Sequence, residues 1–384
     1  MTGGGSGGHI TPILAVAHEL KRLEAASELI YIGQTGDGLA DIPATDPAID
    51  HVYSVRAGKF RRYHGEGWRQ WLNLTTLFFN IRDGFYVLVG LGQSYRLLRR
   101  LRPDVIFIKG GFVGVPVGLA AAKLGLPFVT HDSDAIPGLA NRIIARWASL
   151  HTVALPVTSY NYPVDKTVSV GIPLVGDYVP VTPALKQQYR QDIQLPAAAK
   201  ILFVIGGGLG AQRLNLAVIE IAPHLLAEYP DLQLVHGVGR ANEATAEAAY
   251  RAVLQPAVLA RVQVKGYLTD LYRYSGAADV VVTRAGATNL AEFSVQGKAC
   301  IVIPSPFLTG GHQLKNAQVL ADAGAVVVVD ETAMQADTNF LARAVSELLK
   351  HPDEADNMGH KLRSFAHQDS AERLAQILLK SAKK

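Results

Sequence analysis

Short runs of consecutive apolar residues alternate along the chain with longer segments in which apolar residues recur every three or four positions. The clearest runs lie at residues 105–108, 128–130, 201–205, 232–235, 279–283, 300–303 and 326–329. Strands that are apolar on both faces are typical of parallel sheets covered on both sides by helices. The pattern therefore predicts an α/β fold with doubly wound parallel sheets.

Two glycine-rich turns divide this pattern into similar halves. Residues 3–8 read Gly-Gly-Gly-Ser-Gly-Gly, and residues 206–211 read Gly-Gly-Gly-Leu-Gly-Ala. Each turn precedes a helical pattern, so we expect two Rossmann-like domains, at residues 1–172 and 173–365. Residues 366–384 predict a C-terminal helix that can pack back on the first domain.

Only Met1 and Thr2 precede the first glycine turn. A Rossmann-like domain places its first strand there, at the centre of the sheet. Either the chain starts further upstream, or the first sheet lacks its central strand and the domain is poorly formed.

Length and composition set the broad class. With 384 residues, 49% of them hydrophobic, the chain can bury two cores of ordinary size. Its one cysteine, Cys300, lies in an apolar run, which favours a buried thiol and a reducing compartment. No basic, apolar leader opens the sequence, so we expect a cytoplasmic location. The apolar stretch 72–91 is interrupted by Asn80, Arg82 and Asp83, which argues against a membrane span.

The charge is unevenly placed. The whole chain carries +4, but Arg56 to Arg102 contains ten basic residues and only Glu66 and Asp83 as acids, a net +8. The same segment holds Trp68, Trp71, Leu72, Leu74, Leu77, Phe78 and Phe79. Basic residues mixed with aromatic and aliphatic ones suit an anionic membrane surface, or else a core helix with a solvated basic face. Nucleic acid is not expected as a partner, because the neighbours are aliphatic rather than polar.

A glycine-rich turn at the start of a helix brings backbone N–H groups close to an anion such as a diphosphate. Residues 206–211 do not match the dinucleotide fingerprint, and no acidic residue ends a second strand about 20 residues on, which disfavours a nicotinamide cofactor. The alternative interpretation is a tight turn without a ligand.

Polar residues follow several predicted strands. His9, directly after the first turn, is a candidate general base or a packing residue. The carboxylates of Asp132 and Asp134 could contact an acceptor or cap the helix after Pro137. Because the carboxyl ends of parallel strands share one edge of a sheet, such residues are expected to line a common site.

The same logic applies in the second half. Glu292 follows the strand that ends at Thr283 by a loop and one helical turn, where a carboxylate can accept two sugar hydroxyls. His312 and Gln313 follow the next strand and would line the same rim. Each residue alone is weak evidence, whereas their shared placement after successive strands is stronger.

The assembled motifs closely resemble the MurG family, which transfers N-acetylglucosamine from UDP to a lipid-linked muramyl-peptide in peptidoglycan synthesis. The resemblance covers nearly the whole chain and rests on residues 4–12, 110–116, 284–292 and 312–317. It implies a GT-B fold, with two Rossmann-like domains facing a central cleft. It also implies an inverting transferase on the cytoplasmic face of the membrane, with UDP-N-acetylglucosamine as donor and no cofactor or metal.

The resemblance also assigns roles to residues. His9 and Asp134 are the candidate catalytic residues, and Leu268 would contact uracil through its backbone. Gln313 would hold the N-acetylglucosamine, and the second glycine turn would face the diphosphate. The residues expected to contact the donor are Ser6, Gly7, Gly8, Asp134, Gly208, Leu268, Ala287, Thr288, Asn289, Leu290, Ala291, Glu292 and Gln313. The basic aromatic segment matches the region that the family uses at the membrane.

The chain departs from the family pattern at several positions. Asp134 replaces an asparagine, Gly208 and Leu209 replace serine and glutamine, and Val175 replaces an arginine. Three alternatives to peptidoglycan synthesis follow: a related transferase acting on another membrane lipid, a UDP-sugar 2-epimerase, and a UDP-sugar-binding protein that has lost catalysis.

Overall fold

A computed structural model describes residues 1–4, 7–39, 41–58, 74–207, 210–306 and 311–382. The chain divides into two compact units. The first unit comprises Met1–Gly176, Phe307–His312 and His367–Lys384, and the second comprises Asp177–Pro306 and Gln313–Ala366.

The described residues form parallel strands connected by helices. The strands are β1 (Ile30–Gln34), β2 (His51–Val55), β3 (Ile106–Ile108), β4 (Phe128–Asp132), β5 (Leu150–Val153), β6 (Thr167–Ser169), β7 (Lys200–Ile205), β8 (Leu232–Gly237), β9 (Val262–Lys265), β10 (Val280–Thr283), β11 (Ala299–Val302) and β12 (Val327–Val328). The helices are α1 (Gly7–Leu23), α2 (Asp41–Thr45), α3 (Leu74–Leu101), α4 (Gly114–Leu124), α5 (Leu139–Ile144), α6 (Pro183–Asp192), α7 (Gln212–Glu228), α8 (Glu243–Val253), α9 (Pro256–Leu259), α10 (Leu271–Ala277), α11 (Ala287–Gln296), α12 (His312–Asp322), α13 (Glu331–Ala336), α14 (Asn339–Lys350), α15 (Pro352–Arg363) and α16 (Ser370–Ala382).

The sheet of the second unit has the order β12-β11-β10-β7-β8-β9, with every pair parallel. This is the strand order of a Rossmann domain, in which the chain reverses direction beside the first strand, β7. The second glycine-rich turn follows β7. It therefore lies at the switch point where α/β proteins bind ligands.

The first unit has the same strand order, but a single residue, Thr2, stands in the place of the central strand. Strands β2 and β1 pair on one side, and β3, β4, β5 and β6 pair on the other. Thr2 forms parallel bridges to both Ile32 and Ile108, and its N–H donates to the carbonyl of Phe107 at 2.8 Å. Thr2 thus occupies the position of the central strand, and the first glycine-rich turn begins at this switch point.

Alternate residues of the apolar runs enter different cores. On β7, Leu202 and Val204 join the cluster that includes α7, whereas Ile201 and Phe203 join the cluster on the opposite face. Burial on both faces explains why the run has no polar alternation. The prediction of a doubly wound α/β fold is confirmed.

The structure also describes the cysteine and the C-terminal helix that the sequence singled out. The thiol of Cys300 is fully buried on β11, and burial raises its pKa to about 12. Helix α16 packs Leu374, Ala375 and Leu378 into the same core as α1. Within the ranges given above, no helix combines the length and the apolar character needed to cross a bilayer.

Candidate active site

The first cluster of polar groups lies at the carboxyl edge of the first sheet. Lys109 directly follows β3 and is 3% exposed, and its ammonium group donates to the hydroxyl of Ser133 at 2.8 Å. Burial lowers the pKa of Lys109 to about 8, while Asp132 and Asp134 oppose this shift. The end of β3 thus presents a buried cation to the loop that follows β4.

His9 lies in the first turn of α1, next to the same edge. Its Nδ1 atom lies 3.0 Å from the carbonyl oxygen of Gly4 and must donate to it, because a carbonyl only accepts. The neutral ring therefore carries its lone pair on Nε2. Burial, and then the charge of Lys109, lowers the pKa of His9 to about 4, opposed in part by Gly4 and Asp134.

The Gly110-Gly111 pair directly follows Lys109 and lies close to Gly4 and His9. Gly111 has φ of 75°, and a Cβ atom there would lie 2.7 Å from the carbonyl oxygen of Gly4. Both the backbone conformation and the close approach require glycine. The glycines at the start of the 110–116 motif therefore allow the chain after β3 to pass close to the first glycine-rich turn.

Both carboxylate oxygens of Asp132 accept hydrogen bonds from neighbouring residues. One carboxylate oxygen accepts the N–H of Gly138 at 2.9 Å, ahead of α5, and the other accepts the hydroxyl of Tyr162 at 2.9 Å. Burial raises the pKa of this carboxyl group. Of the two alternatives for Asp132, contact with an acceptor or a helix cap, the geometry favours the cap. Asp134, two residues on, is half-buried and is the carboxylate whose charge acts on His9.

The second cluster lies at the carboxyl ends of β10 and β11 in the second unit. Helix α11 begins at Ala287, and residues 286–289 are half-buried. The N–H groups of a helix's first turn have no intrahelical partner and favour an anion. Of the predicted donor-binding residues, Ala287 to Ala291 belong to the beginning and middle of this helix.

Glu292, further along α11, is buried. Burial raises the pKa of its carboxyl group to about 8, although a hydrogen bond from Tyr178 lowers it in part. Within the described part of the chain, its Oε2 atom is buried and has no hydrogen-bond partner. A buried carboxyl oxygen without a partner is costly unless a ligand completes it.

Helix α12 holds the loops around α11. The side-chain oxygen of Gln313 accepts the N–H of Ser305 at 2.9 Å, and the side-chain nitrogen of Asn316 donates to the carbonyl of Ala285 at 3.2 Å. Gln313 and Asn316 thus tie the loops that follow β11 and β10 to one helix. Gln313 lies in the cluster in which a sugar ligand was expected.

Leu268 lies beyond the end of the neighbouring strand β9. Its side chain approaches Gly237 at the end of β8, where a Cβ atom on the glycine would lie 3.5 Å from Leu268 Cδ1. Leu268 is half-buried and, like the second glycine-rich turn, follows the carboxyl end of a strand of this sheet.

The structure therefore forms two groups of predicted residues, each within one unit: His9 with Asp134, and the α11 residues with Gln313. Ser6 and Gly208 lie outside the described residues, and Gly7 and Gly8 begin α1. Sequence reasoning missed Lys109 and Tyr178. Lys109 had a signal, since it stands between an apolar run and a glycine pair; Tyr178 had none. Among the described residues, no three His, Cys, Asp or Glu side chains are grouped to hold a metal ion.

Two Rossmann units with a glycine-rich turn at each switch point are the architecture of the GT-B fold, and the sequence matches assign the chain to the glycosyltransferases with this fold. Residues 1–151 match the glycosyltransferase family 28 N-terminal domain, and residues 201–374 match the glycosyltransferase family 28 C-terminal domain. The UDP-N-acetylglucosamine–N-acetylmuramyl-(pentapeptide) pyrophosphoryl-undecaprenol N-acetylglucosamine transferase of Natranaerobius thermophilus is 30% identical over 98% of both chains. The chain belongs to this transferase family, the MurG family.

Solved structures agree in fold. The crystal structure of Acinetobacter baumannii MurG superposes with a TM-score of 0.71 at 23% identity, covering 99% of this chain and 98% of that one. A UDP-GlcNAc 2-epimerase from Neisseria meningitidis, bound to UDP-GlcNAc, gives a TM-score of 0.66 at 16% identity, covering 99% and 98%. Because transferase and epimerase share the fold, the family membership rests on the sequence matches and not on the superposition.

Proposed function

We propose that the chain transfers N-acetylglucosamine from UDP to the 4-hydroxyl of a muramyl-pentapeptide carried on undecaprenyl diphosphate. Full-length membership of the family supports the reaction. The main observation in support of a donor site in the second unit is the buried Oε2 atom of Glu292, which has no hydrogen-bond partner among the described residues. Ribose hydroxyls bound there would supply the missing hydrogen bonds.

The donor is held by backbone and side chains of the second unit. The N–H groups at the start of α11 and at the start of α7, which follows the second glycine-rich turn, meet the diphosphate, and Glu292 accepts from the ribose. Leu268 borders the uracil, and Gln313 contacts the sugar. As the bond between the sugar and UDP breaks, these N–H groups stabilise the negative charge that develops on the departing diphosphate.

His9 is the proposed general base. Its Nε2 lone pair takes the proton from the acceptor hydroxyl as that oxygen attacks the anomeric carbon, and UDP leaves from the opposite face, which inverts the configuration. The hydrogen bond from Nδ1 to Gly4 fixes the ring in the required tautomer. Asp134 stabilises the imidazolium that forms, because its charge raises the pKa of His9.

A peripheral association with the cytoplasmic face of an anionic membrane is the second half of the proposal. Ile81, Phe85 and Leu88 are 66%, 60% and 67% exposed on α3. Their spacing of four and three residues places them on one face of the helix. The guanidinium groups of Arg56 and Arg82 lie over the ring of Tyr86, so cations flank this apolar face. Residues 59–73, which hold much of the predicted basic aromatic segment, lie outside the described residues.

Incubation with radiolabelled UDP-N-acetylglucosamine and a short-chain lipid-linked muramyl-pentapeptide tests the reaction. Label in the lipid product supports it. Label in free or epimerised sugar would favour the 2-epimerase alternative, and binding without turnover would favour a sugar-nucleotide-binding protein. Diacylglycerol in place of this acceptor tests the remaining alternative. Label transferred to diacylglycerol would favour a related transferase that acts on another membrane lipid.

A further inference from the structure

A buried polar network lies directly beneath the second glycine-rich turn. His236 on β8 is fully buried, and its two ring nitrogens contact the hydroxyl of Tyr250 at 2.8 Å and the side-chain oxygen of Asn215 at 3.2 Å. Asn215 lies on α7, the helix that the turn opens, and is itself 4% exposed. The network therefore joins β8 and α8 to the helix behind the turn.

The hydrogen bonds fix every proton. The side-chain nitrogen of Asn215 donates to the carbonyl of Val238 at 3.0 Å, so its oxygen faces His236. Since that oxygen only accepts, Nε2 of His236 carries the proton and Nδ1 accepts from Tyr250. Burial lowers the pKa of His236 to about 3, which keeps the ring neutral and the pattern unchanged near neutral pH.

The network ends at the backbone of the turn. The Val238 carbonyl, which also accepts from Asn242 at 2.9 Å, faces Gly210, where a Cβ atom would lie 2.0 Å from the oxygen. Gly210 has φ of 77°, and its N–H closes the turn on the carbonyl of Gly207 at 2.9 Å. The backbone N–H of Asn215 bonds the carbonyl of Ala211 at 2.8 Å. The side chain of Asn215 thus holds the carbonyl that packs against Gly210, and its backbone closes the start of α7.

We propose that His236 is a positioning residue for the nucleotide donor: through Asn215 and the Val238 carbonyl, it fixes Gly210 and the first turn of α7, whose N–H groups meet the diphosphate. The inference rests on the proposed donor site and adds a residue that does not touch the ligand. Preorganised N–H groups are effective because they need no reordering when the anion binds. A loosened turn would weaken the hold on the diphosphate and leave the nucleoside contacts, at Glu292 and Leu268, in place.

Two matched variants separate positioning from packing. In His236→Gln the amide nitrogen can take the place of Nε2 and bond Asn215, whereas in His236→Asn the shorter amide takes the place of Nδ1 and reaches only Tyr250. Both variants lose the ring, and asparagine also lacks one methylene of glutamine, so the ratio of UDP to uridine affinity within each variant is compared rather than the affinity itself. Calorimetric titration with UDP and with uridine then measures the diphosphate's share of the affinity.

We expect His236→Asn to bind UDP about tenfold more weakly while its uridine affinity changes less than about twofold, which is the effect of one buried hydrogen bond. His236→Gln should keep the wild-type ratio of the two affinities. Equal losses for Gln and Asn, or an unchanged ratio in Asn, would overturn the positioning role. If wild-type protein binds UDP no better than uridine, the donor site itself is wrong.

Asn215→Leu provides an independent test if the His236 variants fail to fold. Leucine is similar in size and lacks both the nitrogen that donates to Val238 and the oxygen that accepts from His236. We expect the same selective loss of UDP affinity. Retention of the wild-type ratio of UDP to uridine affinity in Asn215→Leu would overturn the proposal.

Discussion

The guanidinium group of Arg284 donates a hydrogen bond to the carboxylate of Glu331, and both side chains are buried. Arg284 also donates to the carbonyl of Ile303 at 3.1 Å. Arg284 follows β10 at the start of the loop that leads into α11, Ile303 follows β11, and Glu331 begins α13. One ion pair therefore fixes the ends of two central strands beside the proposed donor site.

Removal of one partner should leave an uncompensated buried charge. Glu331→Ala is expected to lower the unfolding free energy of the second unit by about 3 kcal/mol. Scanning calorimetry measures the change, and the transition that UDP shifts identifies the unit. The double change Arg284→Met with Glu331→Leu should cost less than Glu331→Ala alone, because no charge is left unpaired. A larger loss in the double variant would contradict this explanation.

Donor affinity should depend on the ionisation of Glu292. Its pKa of about 8 means that the carboxyl group is mostly protonated at neutral pH, whereas ribose hydroxyls donate best to the ionised form. Uridine affinity should therefore rise between pH 6.5 and 8.5, approaching tenfold per pH unit well below the pKa, and level off above it. Calorimetric titration across this range provides the measurement.

The matched control is Glu292→Gln, which has the same shape and no titrating proton. Its uridine affinity should be lower than that of the wild type at high pH by about 1–3 kcal/mol and flat across the range. A wild-type profile as flat as that of the glutamine variant would remove Glu292 from the ribose site.

The apolar runs predicted seven strands of the structure and missed five others that carry polar residues: the missed strands are β1, β2, β5, β6 and β9. Strands β2 and β9 lie at sheet edges, where His51 and Val52 are exposed and the residues of β9 are half-buried, so neither forms an apolar run. Strand β5 is central but contains His151 and Thr152. His151 bonds Thr130, and this partner, on the neighbouring strand, is visible only in the folded sheet.

The sequence could predict candidate site residues where a polar side chain follows an apolar strand closely. Glu292 could be proposed from its position alone, but the raised pKa depends on burial and on Tyr178, which reaches it from another part of the chain. The role of Asp132 was left open by the sequence, since a carboxylate before a helix can bind a ligand or cap. Only the contacts with Gly138 and Tyr162 favour one alternative.

His9 should be required for turnover and not for donor binding. His9→Ala is expected to lower kcat about a hundredfold or more, because the acceptor proton loses its base. His9→Asn keeps a donor at the Nδ1 position, able to bond Gly4, and should be equally slow, which excludes a local collapse as the cause. Turnover in both variants near the wild-type rate would make Asp134 the better candidate base.

The pH profile of the wild-type enzyme tests the same residue. A base acts in its deprotonated form, so activity falls as the pH drops through its pKa. Because the pKa of His9 is lowered to about 4, kcat/KM for the acceptor should stay flat from pH 7 down to about 5, provided that the donor is kept saturating at each pH so that the titration of Glu292 does not enter. An acid limb near the ordinary histidine value would show that the ring is not buried as described.

Vesicle binding should depend separately on the apolar face of α3 and on the basic segment before it. Phe85→Ser with Leu88→Ser removes two exposed apolar side chains and should weaken co-sedimentation with anionic vesicles at every salt concentration, because burial of apolar surface is not screened. Arg61→Glu with Arg62→Glu should weaken it mainly at low ionic strength.

Leu216→Ser, at a site 58% exposed on α7, is the control and should have no effect. Turnover on a soluble short-chain acceptor should survive in all three variants. If the wild-type protein fails to sediment with anionic vesicles even at low salt, the face of α3 is an ordinary solvated surface and the membrane half of the proposal is wrong.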